Sequence, residues 1–187
     1  MKRIFDIIVS CLALIVCIIP MLIIAIIIKC TSEGPIFFIQ KRIGKDERFF
    51  MIYKFRTMHI DTPNVSTENL GDPSYYITKV GGFLRRTSLD ELPQLFNILL
   101  GDMSVVGPRP ALYNQYELTE KRKKLGIHKF RPGLTGYAQI MGRDFLSDEE
   151  KVTCDYYYIS HQNLLLDMKI IILTLLKVIR GDGIGVR

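Results

Sequence analysis

Two adjacent carboxylates, Asp90 and Glu91, are the residues of this chain best suited to chemistry. They lie in the segment RTSLDELPQLFNILLGDMSVVGPRP, residues 86–110, at the predicted start of a helix. Such a pair could hold Mg²⁺, and a carboxylate there could attack phosphorus. A helix N-terminus would stabilise the Asp90 anion and offer free N–H groups to a phosphate. The structural alternative is that Asp90, or Ser88 together with Glu91, only caps the helix.

Arginines on turns rich in proline and glycine form a second group of candidates. Arg109 lies in GPRP, residues 107–110, where the flanking prolines restrict the backbone. That restriction lowers the entropy lost when the guanidinium binds a phosphate. The alternative for Arg109 is a surface arginine on a rigid turn. RPG at 131–133 and GR at 142–143 likewise place an arginine beside glycine or proline. The candidate phosphate-binding residues are Arg85, Arg109, Arg131 and Arg143.

Asp167 is a third kind of candidate, a single acid in the apolar segment LLLDMKIII. It could be a carboxylate of a metal or phosphate site, or it could form an ion pair with a buried arginine. The sequence contains no GxxxxGK[ST], GxGxxG or DxD pattern. These absences argue against a P-loop enzyme, a dinucleotide site and a nucleotide-sugar enzyme with a DxD metal site.

The composition indicates one domain with a membrane anchor. The 187 residues are 48% hydrophobic with a net charge of +6, and much of the apolar excess lies in 4–28 and 164–179. A basic balance suits nucleic acid, anionic lipid or a phosphorylated substrate. Since no motif reads bases and the N-terminus is apolar, we expect lipid and phosphate partners and no nucleic acid. The four cysteines lack CxxC spacing and indicate small buried hydrophobic residues.

The N-terminal segment 7–28 carries no charged side chain. As a helix it would be roughly 33 Å long, enough to cross a bilayer core. Pro20 predicts a kink, which is compatible with either a kinked transmembrane helix or a re-entrant hairpin. A cleaved signal peptide is disfavoured because the apolar segment is too long. Lysines and arginines flank the segment on both sides, which is compatible with both of its ends lying in the cytoplasm. The residues alone nevertheless favour a transmembrane span over a re-entrant hairpin. Either topology places the catalytic part in the cytoplasm.

The remaining pattern predicts the elements that must position these residues. Residues 35–41 and 48–55 predict a β-hairpin, and 61–75 predict a mobile loop. Helices are predicted within 76–86, from Glu91 to Leu100, and over 111–125, 148–160 and 164–180. The helix over 164–180 is interpreted as buried core or as lying at the membrane interface.

A basic run, KRKK at 121–124, lies on the predicted helix over 111–125. It is either a solvated helix face or a surface attracted to anionic membrane lipid.

Taken in order, SLDELPQLFNILLGDMSVVGPRP, RPGLTGYAQIMGR, DYYY and LLLDMKIIILT resemble the bacterial monotopic phosphoglycosyl transferases. The resemblance covers essentially the whole chain, in the minimal form of the family. It implies that Asp90 is a covalent nucleophile in a dyad with Glu91 and that Arg109 binds phosphate. It also implies that Asp167 belongs to the metal or active site and that Pro20 bends a re-entrant membrane helix, which replaces the span.

The resemblance further implies an activity. These enzymes transfer a sugar phosphate from a nucleoside diphosphate sugar, commonly a UDP-sugar, to polyprenyl phosphate, with Mg²⁺ as cofactor, in glycoconjugate assembly. The expected metal ligands are Asp90, Glu91 and Asp167. A membrane-bound nucleotide-sugar hydrolase is the alternative enzyme, and a membrane-anchored scaffold is the alternative without catalysis.

The fold expected from these features is α+β and mainly helical. A re-entrant membrane helix over 1–30 precedes a catalytic domain over 31–187, which has a short β-hairpin and interfacial helices. The expected location is the cytoplasmic face of the bacterial inner membrane. A homodimer is a possible assembly that no feature of the sequence indicates.

Overall fold

This computed structural model describes residues 1–63, 72–142 and 145–180, in which seven α-helices and two small sheets form the fold. The mainly helical α+β prediction is confirmed. The helices are α1 Lys2–Thr31, α2 Lys79–Arg86, α3 Gln94–Leu100, α4 Tyr116–Lys124, α5 Tyr137–Met141, α6 Asp148–Ser160 and α7 Leu164–Arg180. The strands are β1 Phe37–Ile43, β2 Phe49–Phe55, β3 Ser104–Val106 and β4 Gly133–Thr135.

The predicted hairpin is confirmed as the antiparallel pair β1 and β2, in which Phe37 is opposite Phe55. The second sheet, the parallel pair β3 and β4, was not predicted. Each of its strands has three residues, too few to show an alternating pattern. The helices predicted within 76–86 and over 148–160 and 164–180 correspond to α2, α6 and α7. Most of the predicted 61–75 loop lies outside the described residues.

Helix α1 lies along the domain, and one stripe of its side chains is buried at Asp6, Ser10, Met21, Ile24 and Ile28. Near its start, the Asp6 carboxylate accepts hydrogen bonds from the Ser104 hydroxyl and the Val105 amide, both at 3.0 Å. Towards its end, the stripe packs in a core cluster with Phe55 and Leu84.

The opposite face of α1 is apolar and exposed, at Ile4, Ile8, Leu12, Ile15, Val16, Ile19, Leu22, Ile23 and Ile26. In the described residues, α1 is the one helix long and apolar enough to cross a membrane. The helix continues through Pro20, and the re-entrant bend at this residue stays a prediction.

Candidate active site

The Asp90–Glu91 pair lies in a 3-10 turn, Leu89–Glu91, and not in the first turn of a helix. Helix α3 begins only at Gln94, and neither Ser88 nor Pro93 makes a side-chain capping bond. The helix predicted from about Glu91 to Leu100 is therefore present as α3, but its predicted start and its capping by Asp90 or Ser88 were wrong. Pro93 lacks an N–H group, so it cannot donate to the Leu89 carbonyl, and the turn closes through shorter i to i+3 bonds. Capping thus does not account for the two carboxylates.

Both carboxylates are buried against basic side chains. Asp90 is 9% exposed and Glu91 is 7% exposed. The Glu91 Oε1 atom accepts a bond from Lys54 Nζ at 2.7 Å and another from Arg109 Nη2 at 2.9 Å. The structure thus brings the predicted Arg109 to the predicted pair and adds Lys54 to the site.

Burial raises the pKa of Asp90 to about 6. The Lys54 charge opposes that shift most strongly, the neighbouring Glu91 adds to it, and Arg85 and Arg109 oppose it. Desolvation of the anion therefore outweighs its attraction to the surrounding cations. The predicted Arg85 accordingly lies within electrostatic range of Asp90.

Two further shifts define the positive side of the site. Burial lowers the pKa of Lys54, with Glu91 opposing the shift. Burial also lowers the pKa of Arg42 to about 10, Arg109 lowers it further and Glu91 opposes. Two buried carboxylates are thus surrounded by four cations, Arg42, Lys54, Arg85 and Arg109. A surplus of positive charge beside buried carboxylates suits a polyanionic substrate such as a diphosphate.

The backbone of the GPRP turn is held by two other arginines. Arg122 Nη1 donates to the Arg109 carbonyl at 2.8 Å, and Arg42 Nη1 donates to the Pro110 carbonyl at 3.1 Å. Arg122 is itself fixed by Asp155, whose Oδ2 accepts from Nε at 3.0 Å and from Nη2 at 2.6 Å. Arg122 and Asp155 are therefore positioning residues for Arg109.

The other side of this turn lies directly on the RPGLTG backbone. Gly107 N donates to the Thr135 carbonyl at 2.9 Å, and Gly133 N donates to the Pro108 carbonyl at 2.8 Å. A Cβ atom at Gly133 would lie 2.1 Å from Gly107 N, and one at Gly136 would lie 2.2 Å from the Gly107 oxygen. Glycine is required here because any side chain would separate the two backbones.

We expect Asp155→Asn to lower the free energy of unfolding by about 1–3 kcal/mol. The substitution leaves the Arg122 charge buried without its anion, while the desolvation that raises the pKa of Asp155 offsets part of this loss. Urea denaturation of the detergent-solubilised chain measures the loss. Asp148→Asn on the same helix is the matched control, since its ion pair with Lys151 lies at the surface. Equal losses in both variants would contradict a structural role for the buried pair.

The structure does not place the other predicted residues at this pair. Arg131 Nε donates to the Gly101 carbonyl at 2.7 Å, at the C-terminus of α3. Asp167 accepts from Lys2 Nζ at 2.8 Å and from the Tyr158 hydroxyl at 2.7 Å. Asp167 thus forms an ion pair, but with a lysine and not with an arginine. Arg143 lies outside the described residues.

The fit of a magnesium ion rests on the chemistry of two carboxylates. Within the described ranges, no group of three or more His, Cys, Asp or Glu side chains could hold a metal, so Asp167 does not join the pair. Mg²⁺ is commonly bound by one or two carboxylates, waters and substrate phosphates, so Asp90 and Glu91 remain a suitable donor set. The raised pKa of Asp90 also leaves this carboxylate able to gain from a further cation.

The basic run on α4 is largely engaged within the protein. Lys121 pairs with Glu117 and Glu149, and Lys123 pairs with Glu47. Arg122 is buried in its pair with Asp155. Three of these four cations therefore have acidic partners, and the structure gives no support to this run as an anionic-lipid surface.

The sequence analysis did not identify Lys54 and Arg42 as site residues. Lys54 is the single charged residue in the strand FFMIYKF, and a lone cation in an apolar strand is a usable signal. For Arg42 no comparable signal exists, because it follows another basic residue at the end of a strand.

Known proteins are similar to this chain over nearly its whole length. The model of the family described as bacterial sugar transferase matches residues 1–181. The uncharacterized sugar transferase EpsL of Bacillus subtilis is 40% identical over 98% of this chain and 90% of its own. The UDP-glucose:undecaprenyl-phosphate glucose-1-phosphate transferase of Klebsiella pneumoniae is 43% identical over 94% of this chain but only 39% of its own length. The chain thus matches some relatives almost completely and spans about two fifths of others.

Proposed function

The chain belongs to the bacterial sugar transferase family, and we propose that it transfers a sugar 1-phosphate from a UDP-sugar to polyprenyl phosphate. The products are a polyprenyl-diphosphate sugar and UMP. Relatives whose names state this type of reaction support the proposal, including the glucose-1-phosphate transferase of Klebsiella pneumoniae. The first membrane step of glycoconjugate assembly is the role that such a reaction would have.

The observation that carries the proposal is the buried Asp90–Glu91 pair among four cations. Each of the two substrates is a phosphate anion, so the difficulty of the reaction is bringing one anion to another. The side chain of Arg109 is 35% exposed, so its guanidinium can reach a phosphate oxygen. Arg85, Lys54 and Arg42 add positive charge around the same point, which lowers the electrostatic cost of that approach.

In the first step, Asp90 attacks the phosphorus that carries the sugar. A bond forms between a carboxylate oxygen and phosphorus, while the bond from phosphorus to the UMP oxygen breaks and UMP leaves with the electron pair. Asp90 suits this role because burial removes the water that would otherwise shield its lone pairs. Arg109 stabilises the charge that develops on the phosphoryl oxygens.

In the second step, an oxygen of polyprenyl phosphate attacks the same phosphorus, and the Asp90 carboxylate leaves. The acceptor is already an anion, so no strong general base is needed. Glu91 holds Lys54 and Arg109 in place through its Oε1 atom. Mg²⁺, held by Asp90 and Glu91, would supply neutralisation of the diphosphate charge.

UMP release tests the proposal. Purified protein with Mg²⁺ is mixed with a panel of UDP-sugars, with and without undecaprenyl phosphate, and the lipid products are identified. We expect release from at least one donor, formation of a lipid-linked diphosphate sugar, and a small burst of UMP without acceptor. Free sugar phosphate in place of the lipid product would identify a hydrolase, the alternative function. Strict dependence of UMP release on the acceptor would contradict the covalent step.

We expect kcat/KM for UMP release to fall about tenfold per unit as the pH drops below about 6, because the attacking Asp90 carboxylate becomes protonated. The profile is measured between pH 5 and pH 8 at donor concentrations far below KM. Higher Mg²⁺ should move the fall to lower pH, since a bound cation favours the anion. A rate that stays constant down to pH 5 would show that the essential group has an ordinary carboxyl pKa.

The contacts of α1 support insertion from one side of the membrane. Near the start of the helix Lys2 pairs with Asp167, and just after its end Arg56 Nη2 donates to the Ser32 carbonyl at 2.9 Å. A helix of 30 residues is about 45 Å long, and its two ends contact the same domain. A simple span would require that domain to reach across the bilayer, so the re-entrant topology on the cytoplasmic face of the inner membrane is the better account.

Protease protection tests this topology. We expect tags at the N-terminus and the C-terminus both to be digested in inverted inner-membrane vesicles and both to be protected in intact spheroplasts. Protection of the N-terminal tag alone in inverted vesicles would show a span and reject the re-entrant helix.

A further inference from the structure

A second basic site lies away from the Asp90–Glu91 pair, in a cavity of about 270 Å³. Five segments form it: the start of α1, the β1–β2 connection, the start of β3, the stretch that leads into β4, and the junction of α6 with α7. Its lining residues include five cations and one acid: Lys2, Arg3, Lys45, Lys129, Arg131 and Asp6. None of the four cations around Asp90 and Glu91 lines this cavity.

Backbone carbonyls of α3 hold two of the lining arginines in place. Arg3 Nη1 donates to the Ile98 carbonyl at 2.5 Å and Nη2 donates to the Leu99 carbonyl at 2.9 Å. Arg131 Nε donates to the Gly101 carbonyl at 2.7 Å, so both guanidinium groups are fixed before any ligand arrives. Preorganised cations lose less conformational entropy when they bind an anion.

The acidic groups of this region leave the cavity strongly positive. Asp6 Oδ1 accepts bonds from Ser104 and Val105, and Asp167 pairs with Lys2. Lys45 and Lys129 lie exposed at the rim. Convergent arginines and lysines with a positive surplus are the usual composition of a phosphate site.

Exposed apolar side chains adjoin the lining residues in the chain. Ile4, which follows Arg3, is 64% exposed, and Leu165, three residues after Gln162, is 83% exposed. Both belong to helices whose apolar faces are exposed along their length, α1 and α7. Cations thus border surfaces that suit acyl chains, as at the headgroup level of a bilayer.

We propose that this cavity binds a phosphate group, supplied by the headgroup of an anionic phospholipid or by a small soluble phosphate. Arg3 and Arg131 provide the fixed donors, and Lys45 and Lys129 close the rim. The site differs from the α4 run in that its arginine donors are held by backbone carbonyls and converge on one space.

The test compares two variants of equal charge. Lys45→Ala/Lys129→Ala removes the rim, while Lys79→Ala/Lys124→Ala removes two exposed lysines that do not line the cavity. In the lipid arm, native mass spectrometry counts phosphatidylglycerol retained by the full chain from mixed micelles, with diacylglycerol as the lipid without phosphate. In the soluble arm, calorimetry measures the binding of inorganic phosphate in neutral detergent. Melting temperatures establish that both variants are folded.

We expect the rim variant to bind phosphatidylglycerol about thirtyfold more weakly than the wild type, and the control variant to change little. Loss confined to the lipid arm identifies a phospholipid headgroup, and loss confined to the calorimetric arm identifies a soluble phosphate. Equal weakening in both variants would show general surface attraction and overturn the proposal. Unchanged binding of both ligands in the folded rim variant would overturn it as well.

Discussion

Replacing Asp90 by asparagine is expected to lower the rate of UMP release at least ~10³-fold and, at the same time, to make the protein more stable. In the proposed mechanism Asp90 displaces UMP, which an amide cannot do, and loss of a nucleophile is among the largest single effects in enzymes. The expected gain in stability follows from the burial of the charge. Activity and stability of this variant should therefore change in opposite directions.

The sign of the stability change follows from the raised pKa. In the unfolded chain an aspartate has a pKa near ~3.9, whereas burial raises the Asp90 pKa to about 6 in the folded protein. The folded state therefore binds the proton more tightly, and above pH 6 the ionised group lowers the free energy of unfolding. That penalty disappears as the pH falls through 6 towards 4. A neutral asparagine removes it at all pH values, by an amount on the order of 3 kcal/mol at pH 7.

Glu91→Gln provides the contrast, because its neighbours differ. Glu91 accepts bonds from Lys54 and Arg109, so its neutralisation leaves two cations without their anion. We expect that variant to lose stability by about 1–3 kcal/mol. Urea denaturation at pH 7.5 measures the stability of each variant, and UMP release measures its activity. If Asp90→Asn destabilises the protein as much as Glu91→Gln does, Asp90 has a structural role. UMP release at the wild-type rate in Asp90→Asn would show that Asp90 is not the nucleophile.

Arg109→Lys is expected to reduce UMP release about 10²- to 10³-fold although the charge is retained. A lysine can replace the positive charge but not the planar, bidentate geometry of a guanidinium, and lost stabilisation of a developing oxyanion typically has this size. The effect should fall mainly on kcat, since the charge on phosphoryl oxygens is greatest in the transition state. Single-turnover measurements of UMP release separate this step from binding of the donor.

Arg86→Lys is the matched control, because Arg86 is exposed at the end of α2, and Arg85, but not Arg86, affects the pKa of Asp90. We expect the control to retain the wild-type rate within about twofold, since an exposed charge is kept. The Arg109 side chain is one-third exposed, so its variant should keep the wild-type melting temperature within a few degrees. A rise in KM with an unchanged kcat would mean that Arg109 only binds the donor.

Local patterns predicted the elements of this fold better than the partners of its side chains. The hairpin and helices α6 and α7 were found because their patterns extend over many residues. The start of α3 was misplaced because Ser88, Asp90 and Glu91 satisfy the rules for a capped helix, while Pro93 changes the bonding two residues later. A turn of three residues has too short a pattern to compete with such a signal.

Long-range contacts explain why the partners of the other candidate residues were not predicted. Arg131 and Arg109 stand on similar turns in the sequence, yet Arg109 reaches Glu91 and Arg131 reaches the carbonyl of Gly101. Asp167 meets Lys2, which is 165 residues away in the chain. No spacing within one segment encodes such pairs, because they depend on how α1 and α7 pack on the rest of the domain. The resemblance of the motifs indicated Asp90, Glu91 and Arg109, but not the pairing of Asp167 with Lys2.

The buried stripe of α1 means that anchoring and folding of this protein are one process. Met21, Ile24 and Ile28 complete a core cluster, and Asp6 satisfies backbone and hydroxyl groups at β3. Deleting the helix to obtain a soluble enzyme would open that core to water, and extraction without a lipid substitute would leave the outer apolar face uncovered. We therefore expect the domain to fold fully only when α1 is inserted in a bilayer, and a chain that fails to insert to be degraded as an unfolded protein.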